Sequence, residues 1–171
     1  MSRFALYNFF SLRPSPSTEQ DPSVKKIIKG FALAIIFVIL LFLFVNNQNT
    51  RDIKIVKIAG ENIKVDLAQT PNAQAQGLSG RSMLKNDGGM LFVFDHSDKY
   101  SFWMKDMNFH IDIIWLDQNM KVVYIKKNAT PESYPDSFTP NQNAKYVLEV
   151  ISGFSDKHNL KTGDNAEFAS Q

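Results

Sequence analysis

The stretch from Gly88 to Leu116, GGMLFVFDHSDKYSFWMKDMNFHIDIIWL, constrains the fold more than any other part of the chain. Its density of Met, Phe, Trp and Ile suits only a buried sheet, yet Asp95, His96, Lys105, His110 and Asp112 interrupt it. In its last segment, period-two alternation puts Phe109, Ile111, Ile113 and Trp115 on one face of a strand and His110, Asp112, Ile114 and Leu116 on the other. Both faces are then largely apolar, and Asp112 sits among aliphatic neighbours. A carboxylate in that setting must be paired or hydrogen-bonded, because leaving it ionised and alone costs several kcal/mol. Arg81 and Lys105 are the candidate partners. Two further readings stay open: Asp112 ties down the backbone N–H groups of a loop, or it orients a ligand or acts as a general base in a pocket walled by Trp103.

Other chemistry is thinner. His110 and Asp112 share a strand face at a spacing compatible with two metal ligands, and Asp95, His96 and Asp98 could add more. Two ligands plus loop residues do not define a coordination sphere, so neither a metal nor a cofactor is expected. Ser79 lies in a Gly-x-x-Gly loop and not in the strained elbow of a hydrolase nucleophile. The chain has no cysteine, which removes disulfides, thiol catalysis and Cys-ligated zinc. Glu149 alternates with apolar strand residues, where an edge position or a cross-strand pair is the default expectation. An exposed Trp103 or Tyr134 would suit stacking on a sugar or peptide.

A second constraint comes from the N-terminal third. Between Gly30 and Val45 the chain reads GFALAIIFVILLFLFV, without a polar side chain. With Ile27 to Lys29 included, the run approaches the roughly 20 residues of a bilayer-crossing helix, and Lys29 can snorkel to the headgroups. Residues 1–51 carry six Lys or Arg against two acidic residues, whereas 52–171 carry thirteen against fifteen. The basic excess thus belongs to the leader, which argues against a nucleic-acid partner. By the positive-inside rule it keeps the N-terminus cytoplasmic and sends the C-terminal domain to the periplasm or exterior. The expected organisation is a flexible tail over 1–26, an uncleaved transmembrane anchor over 27–45, a linker over 46–51 and a domain over 52–171.

Within the domain, Ile53 to Ile58 and Ile63 to Leu67 read as a hairpin around Gly60-Glu61-Asn62. Thr70-Pro71 supplies an N-cap and a first-turn proline for a short helix that Gly77 ends. Strands follow at Met90–Phe94, Tyr100–Met104, Phe109–Leu116, Val122–Ile125, Tyr146–Ile151 and Asn165–Phe168, with a long polar loop at 126–143. Short strands and frequent turns predict an all-β, mainly antiparallel fold: a jelly-roll-like sandwich or barrel with one or two short helices, behind a single transmembrane helix.

Gly77-Leu78-Ser79-Gly80-Arg81, Gly89-Met90-Leu91-Phe92-Val93-Phe94, Phe102-Trp103-Met104-Lys105, Asp112-Ile113, Tyr146-Val147-Leu148-Glu149 and Gly163-Asp164 follow one another in an order and spacing that resembles the DUF192 family, also called UPF0127. The resemblance covers nearly all of the predicted domain. It implies a compact β-rich, jelly-roll-like sandwich, often secreted or membrane-anchored, and brings no agreed catalytic residues. Met107 and His110 depart from the family pattern, which favours Thr at the first position and Pro or Ser at the second. The function expected is binding of a small ligand or an envelope component without catalysis, with Arg81, Trp103, Lys105 and Asp112 as candidate ligand-binding residues. The alternatives are an envelope hydrolase using Asp112 with Arg81 or Lys105, and an assembly partner of membrane proteins presenting a flat apolar patch.

Overall fold

A computed structural model describes the backbone of residues 22–48 and 53–170. Residues 1–21 of the expected tail and 49–51 of the expected linker lie outside the described residues. The chain divides into two compact units, residues 1–46 and 47–171.

Helix α1, Pro22–Gln48, belongs to the first unit except for its last two residues and starts earlier than the expected anchor. Its opening proline suits a first turn, where the missing N–H would be unpaired in any case. The described side chains of its middle, from Phe31 to Phe42, are apolar and exposed on every side. Among the described residues, no helix is long and apolar enough to cross a membrane. The other side chains of the 27–45 run, apart from Ile28 and Lys29, lie outside those described.

In the second unit the expected antiparallel sandwich gives way to one curled, mixed sheet of seven strands. Strands β1 (Ile55–Ile58) and β2 (Glu61–Ala68) form the predicted hairpin. Its turn is Ala59-Gly60, both at positive φ, one residue earlier than the sequence suggested. Helix α2 (Pro71–Gln76) follows, with the Thr70 side chain accepting from the Ala73 N–H and Gly77 ending it, as expected. Strand β3 (Gly88–Asp98) then lies parallel to β2. The connection through α2 makes this possible, since parallel neighbours need a crossover of a dozen or more residues.

The remaining elements are β4 (Phe102–Trp103), β5 (Ile111–Leu116), β6 (Val122–Ala129), a 3-10 turn (Pro131–Ser133), β7 (Ser137–Phe138), β8 (Ala144–Ile151), α3 (Phe154–Lys157) and β9 (Ala166–Ala169). The sheet order is β6-β5-β8-β3-β2-β1-β9, and β4 pairs with β7 in a separate ribbon. Part of the predicted polar loop is therefore strand: β6 continues to Ala129, and β7 lies within it. The sheet curls until its edges touch at one end, where Lys121 bridges Asn165 and the Val122 N–H donates to the Asp164 carbonyl at 2.8 Å. Meeting edges leave fewer unpaired backbone groups open to another chain.

Curling gives the sheet two apolar cores. Inside the curl lie Val56, Ile58, Leu91, Ile114, Leu116, Leu148 and Val150 with their neighbours. On the opposite face Met90, Phe92, Ile111, Ile113, Trp115 and Val147 are covered by Phe102 and Phe138 from the β4–β7 ribbon and by Leu78 and Met104 from the loops. Every residue of β5 is buried, and its two-sided apolar pattern is that of a central strand with a layer on each face. The alternation of Ile111, Ile113 and Trp115 against Ile114 and Leu116 is the one expected from the sequence. At Gly89 no side chain fits: a Cβ there would lie 2.8 Å from the Glu149 carbonyl oxygen.

Candidate functional site

Asp112, in the middle of the buried strand β5, is 1% exposed. Its Oδ1 accepts from the Asn128 N–H at 2.9 Å and the Gly153 N–H at 3.3 Å, and its Oδ2 accepts from the Ser155 N–H at 2.8 Å. The carboxylate thus ties the end of β6 to the start of α3. The loop-tying reading is the one realised, and the pairing of Asp112 with Arg81 or Lys105 is not. Arg81 instead donates from Nη1 to Asp66 Oδ2 on β2 at 2.7 Å. Lys105 is exposed and contributes its carbonyl, which accepts from the Ser79 hydroxyl at 2.8 Å. A hydrolytic centre built on Asp112 with either cation is therefore not assembled, because both carboxylate oxygens are engaged by main-chain donors.

The Gly77–Arg81 loop does meet the loop after β4, through its backbone. The Gly80 N–H donates to the Asp106 carbonyl at 2.8 Å, and the Asn108 side-chain amide donates to the Arg81 carbonyl at 2.9 Å. With α2 these loops roof part of the outer core. Beneath them is a cavity of about 270 Å³ lined by Gln74 to Ser79, Phe92, Phe94, Tyr100 to Trp103, Met107 and Glu149. Its walls are mutually braced aromatics. Phe92 and Phe102 meet edge to face at 4.8 Å, Phe94 stacks on Tyr100 at 3.5 Å, and Phe102 meets Trp115 at 5.6 Å. The Trp115 indole N–H donates to the Tyr100 carbonyl at 2.8 Å, fixing the segment that carries Tyr100. Trp103 stands 55% exposed, with its ring 6.0 Å from that of Tyr134. Gln74 points its amide at the Ala68 and Val93 carbonyls and so locks α2 to the sheet.

The unusual member of this wall is Glu149. Strand β8 is central, and Glu149 has Met90 and Ile113 as cross-strand neighbours, so the expected edge position or charge pair is replaced by burial among apolar side chains. Glu149 is 5% exposed, and its Oε2 has no hydrogen-bond partner. Burial pushes its pKa from 4.5 up to about 8, with the nearby Arg81 charge pulling the other way. A carboxyl in this state is largely neutral at pH 7 and can donate a hydrogen bond or accept a charge partner. The sequence carried one signal for it: a single acid inside Tyr146-Val147-Leu148-Glu149-Val150-Ile151, apolar on both sides.

His110 lies outside this cavity's wall. Its Nδ1 is 3.2 Å from Asn128 Oδ1, which also accepts from the Ser152 hydroxyl at 2.8 Å. Among the described residues there is no group of three or more His, Asp or Glu placed to hold a metal ion.

Comparison with solved structures supports the fold. The chain is similar to a crystal structure of a protein of unknown function from Novosphingobium aromaticivorans, with a TM-score of 0.64, 29% identity, 67% of this chain covered and 84% of that one. It is also similar to a candidate transcription regulator from Sinorhizobium meliloti, with a TM-score of 0.62, 27% identity and coverages of 67% and 90%. No curated protein matches it. The DUF192 family, described as "Uncharacterized ACR", matches residues 54–168. That span takes in every strand of the curled sheet except the last residue of β9, and the chain therefore belongs to the DUF192 family.

Proposed function

We propose that the domain is a non-catalytic small-ligand-binding module whose site is the cavity between Glu149 and Trp103. The observation that carries this reading is the unpartnered Glu149 Oε2 in the wall of an aromatic cavity. A buried polar atom without a partner costs on the order of 1–3 kcal/mol, and a bound ligand would recover it. Of the four residues expected from the sequence, Trp103 lines this cavity, and Arg81 acts on it through its charge near Glu149. The assembly reading has less support, since among the described residues of the domain the exposed large apolar ones are Met83, Trp103 and Tyr134, too few for a broad flat patch. A nucleic-acid partner is disfavoured by the acidic balance of residues 52–171.

A fragment screen by chemical-shift perturbation on the full chain tests the site. Binders should shift Phe92, Tyr100 and Trp103 resonances, and Trp103→Ala should weaken them about tenfold, as for loss of an aromatic contact worth ~1–1.5 kcal/mol. Hits that cluster elsewhere would move the site.

The α1 segment is proposed as the membrane anchor, with the domain outside the cytoplasm. Support comes from the exposed, all-round apolar surface between Phe31 and Phe42 and from the basic residues before it. A reporter that is active only after export should work when fused after Gln171 and be silent when fused before Met1. The reverse pattern contradicts the proposed topology.

A further inference from the structure

Resting on the binding reading above, we propose that the cavity takes a small organic cation, an alkyl or benzyl amine, whose ammonium N–H groups meet the Glu149 carboxylate while its carbon frame lies against Phe92, Phe102 and Trp103. Three observations converge on this class. The polar group without a partner is an acid, so its best complement is a positively charged donor. The walls carry aromatic rings, which accept apolar frames and attract cations placed over a face within about 6 Å of the ring centroid. Arg81, the cation whose charge acts on Glu149, is already held by Asp66 at 2.7 Å, which leaves Glu149 without an ion-pair partner of its own. Met107, flexible and in the wall, can give as the ligand nitrogen reaches the carboxyl.

The charged and titratable groups around Glu149 are few. On the neighbouring strands its register partners Met90 and Ile113 carry no charge, and the next residues out are Asp66, paired with Arg81, and Lys126, whose ammonium lies 4.6 Å over the Phe138 ring. Tyr100, also in the wall, is a phenol pushed up by burial, and its hydroxyl donates to the His96 carbonyl. Glu149 is thus the group in the wall that titrates near neutrality. Binding below its midpoint is an exchange: the carboxylic acid gives its proton to solvent, and the carboxylate so formed pairs with the ammonium. No bond other than O–H is broken. One proton is released per ligand bound well below pH 8, and the release falls as the carboxyl ionises by itself toward pH 8.

The test uses the purified full chain with benzylamine, benzyl alcohol and phenylacetate as probes, followed by calorimetry and by chemical shifts between pH 5 and 7. Benzylamine is expected to perturb the cavity residues, to gain about tenfold in affinity per pH unit, and to exceed both other probes at least tenfold at pH 7. Glu149→Gln should remove the pH dependence and the preference, and Trp103→Ala, at an exposed position, should weaken binding while keeping the pH slope. If benzyl alcohol or phenylacetate perturbs the same residues as strongly as benzylamine, the cation assignment is overturned and the binding site stands. If none of the three perturbs the cavity at millimolar concentration, both are overturned. Benzylamine shifts confined to surface acids likewise overturn the assignment.

Discussion

Asp112→Ala is expected to destabilise the domain by roughly 4 kcal/mol, because it strips the acceptor from three backbone N–H groups, those of Asn128, Gly153 and Ser155. Each buried donor left alone costs about 1–3 kcal/mol. Asparagine should not restore the fold's full stability. One of its side-chain positions is an NH2 donor, which would face either the Ser155 N–H or the pair from Asn128 and Gly153, and a loss of about 2 kcal/mol should remain. Arg81→Gln acts elsewhere, on Asp66, so the double variant Asp112→Asn with Arg81→Gln should be additive within ~0.5 kcal/mol. Urea denaturation midpoints measure all three. A strong coupling between the two sites would mean that Asp112 and Arg81 are partners after all.

Glu149→Gln is expected to act in the opposite direction, and only above a certain pH. The folded domain holds the Glu149 proton more tightly than the unfolded chain, since burial raises the pKa from 4.5 to about 8. Below pH 4.5 the carboxyl is neutral in both states and carries no ionisation penalty. As pH climbs from 4.5 toward 8 the unfolded chain gains freely by ionising and the folded one does not, so stability falls through that window and levels off above it. At pH 7 the loss is roughly 3 kcal/mol. Glutamine removes the ionisation but brings N–H donors of its own at a cost of about 1 kcal/mol at every pH, so a net gain of about 2 kcal/mol is expected at pH 7, turning into a loss of about 1 kcal/mol below pH 4.5. Thermal denaturation of both proteins across pH 4 to 9 should show the curves crossing as pH falls from 7 toward 4.5, with the variant the more stable only on the alkaline side. Parallel curves would place the pH dependence in other groups.

Much of the fold was legible because local chemistry wrote it. Thr70-Pro71 and Gly77 bracket α2 by capping and φ preference, and the Ile53–Leu67 hairpin follows from alternation around a glycine turn. The two-faced apolar pattern of β5 correctly gave which side chains share a core. Strand direction is not written that way. Nothing in Glu61–Ala68 or Gly88–Asp98 states that they run parallel, since that depends on how the intervening segment crosses the sheet. The candidate site was half legible for a similar reason. Trp103 and Arg81 stand out by type, but their partners are fixed by loops separated in sequence: Arg81 meets Asp66 across fifteen residues. Asp112 drew attention because its neighbours are apolar, and the same argument applies to Glu149. What separated them was whether backbone N–H groups reach the carboxylate. At Asp112 the β6 end and the α3 start supply them, while at Glu149 the strands β3 and β5 on either side present Met90 and Ile113.

Glu149, with its Oε2 unpartnered in the wall of an aromatic cavity, is held neutral by burial at pH 7. Titrating its side-chain carboxyl carbon by NMR, in the full chain labelled at glutamate and assigned with Glu149→Gln, tests this most directly. A midpoint of about 8 is expected, moving downward when benzylamine is added. A midpoint near the ordinary value of 4.5, unmoved by the amine, would contradict it.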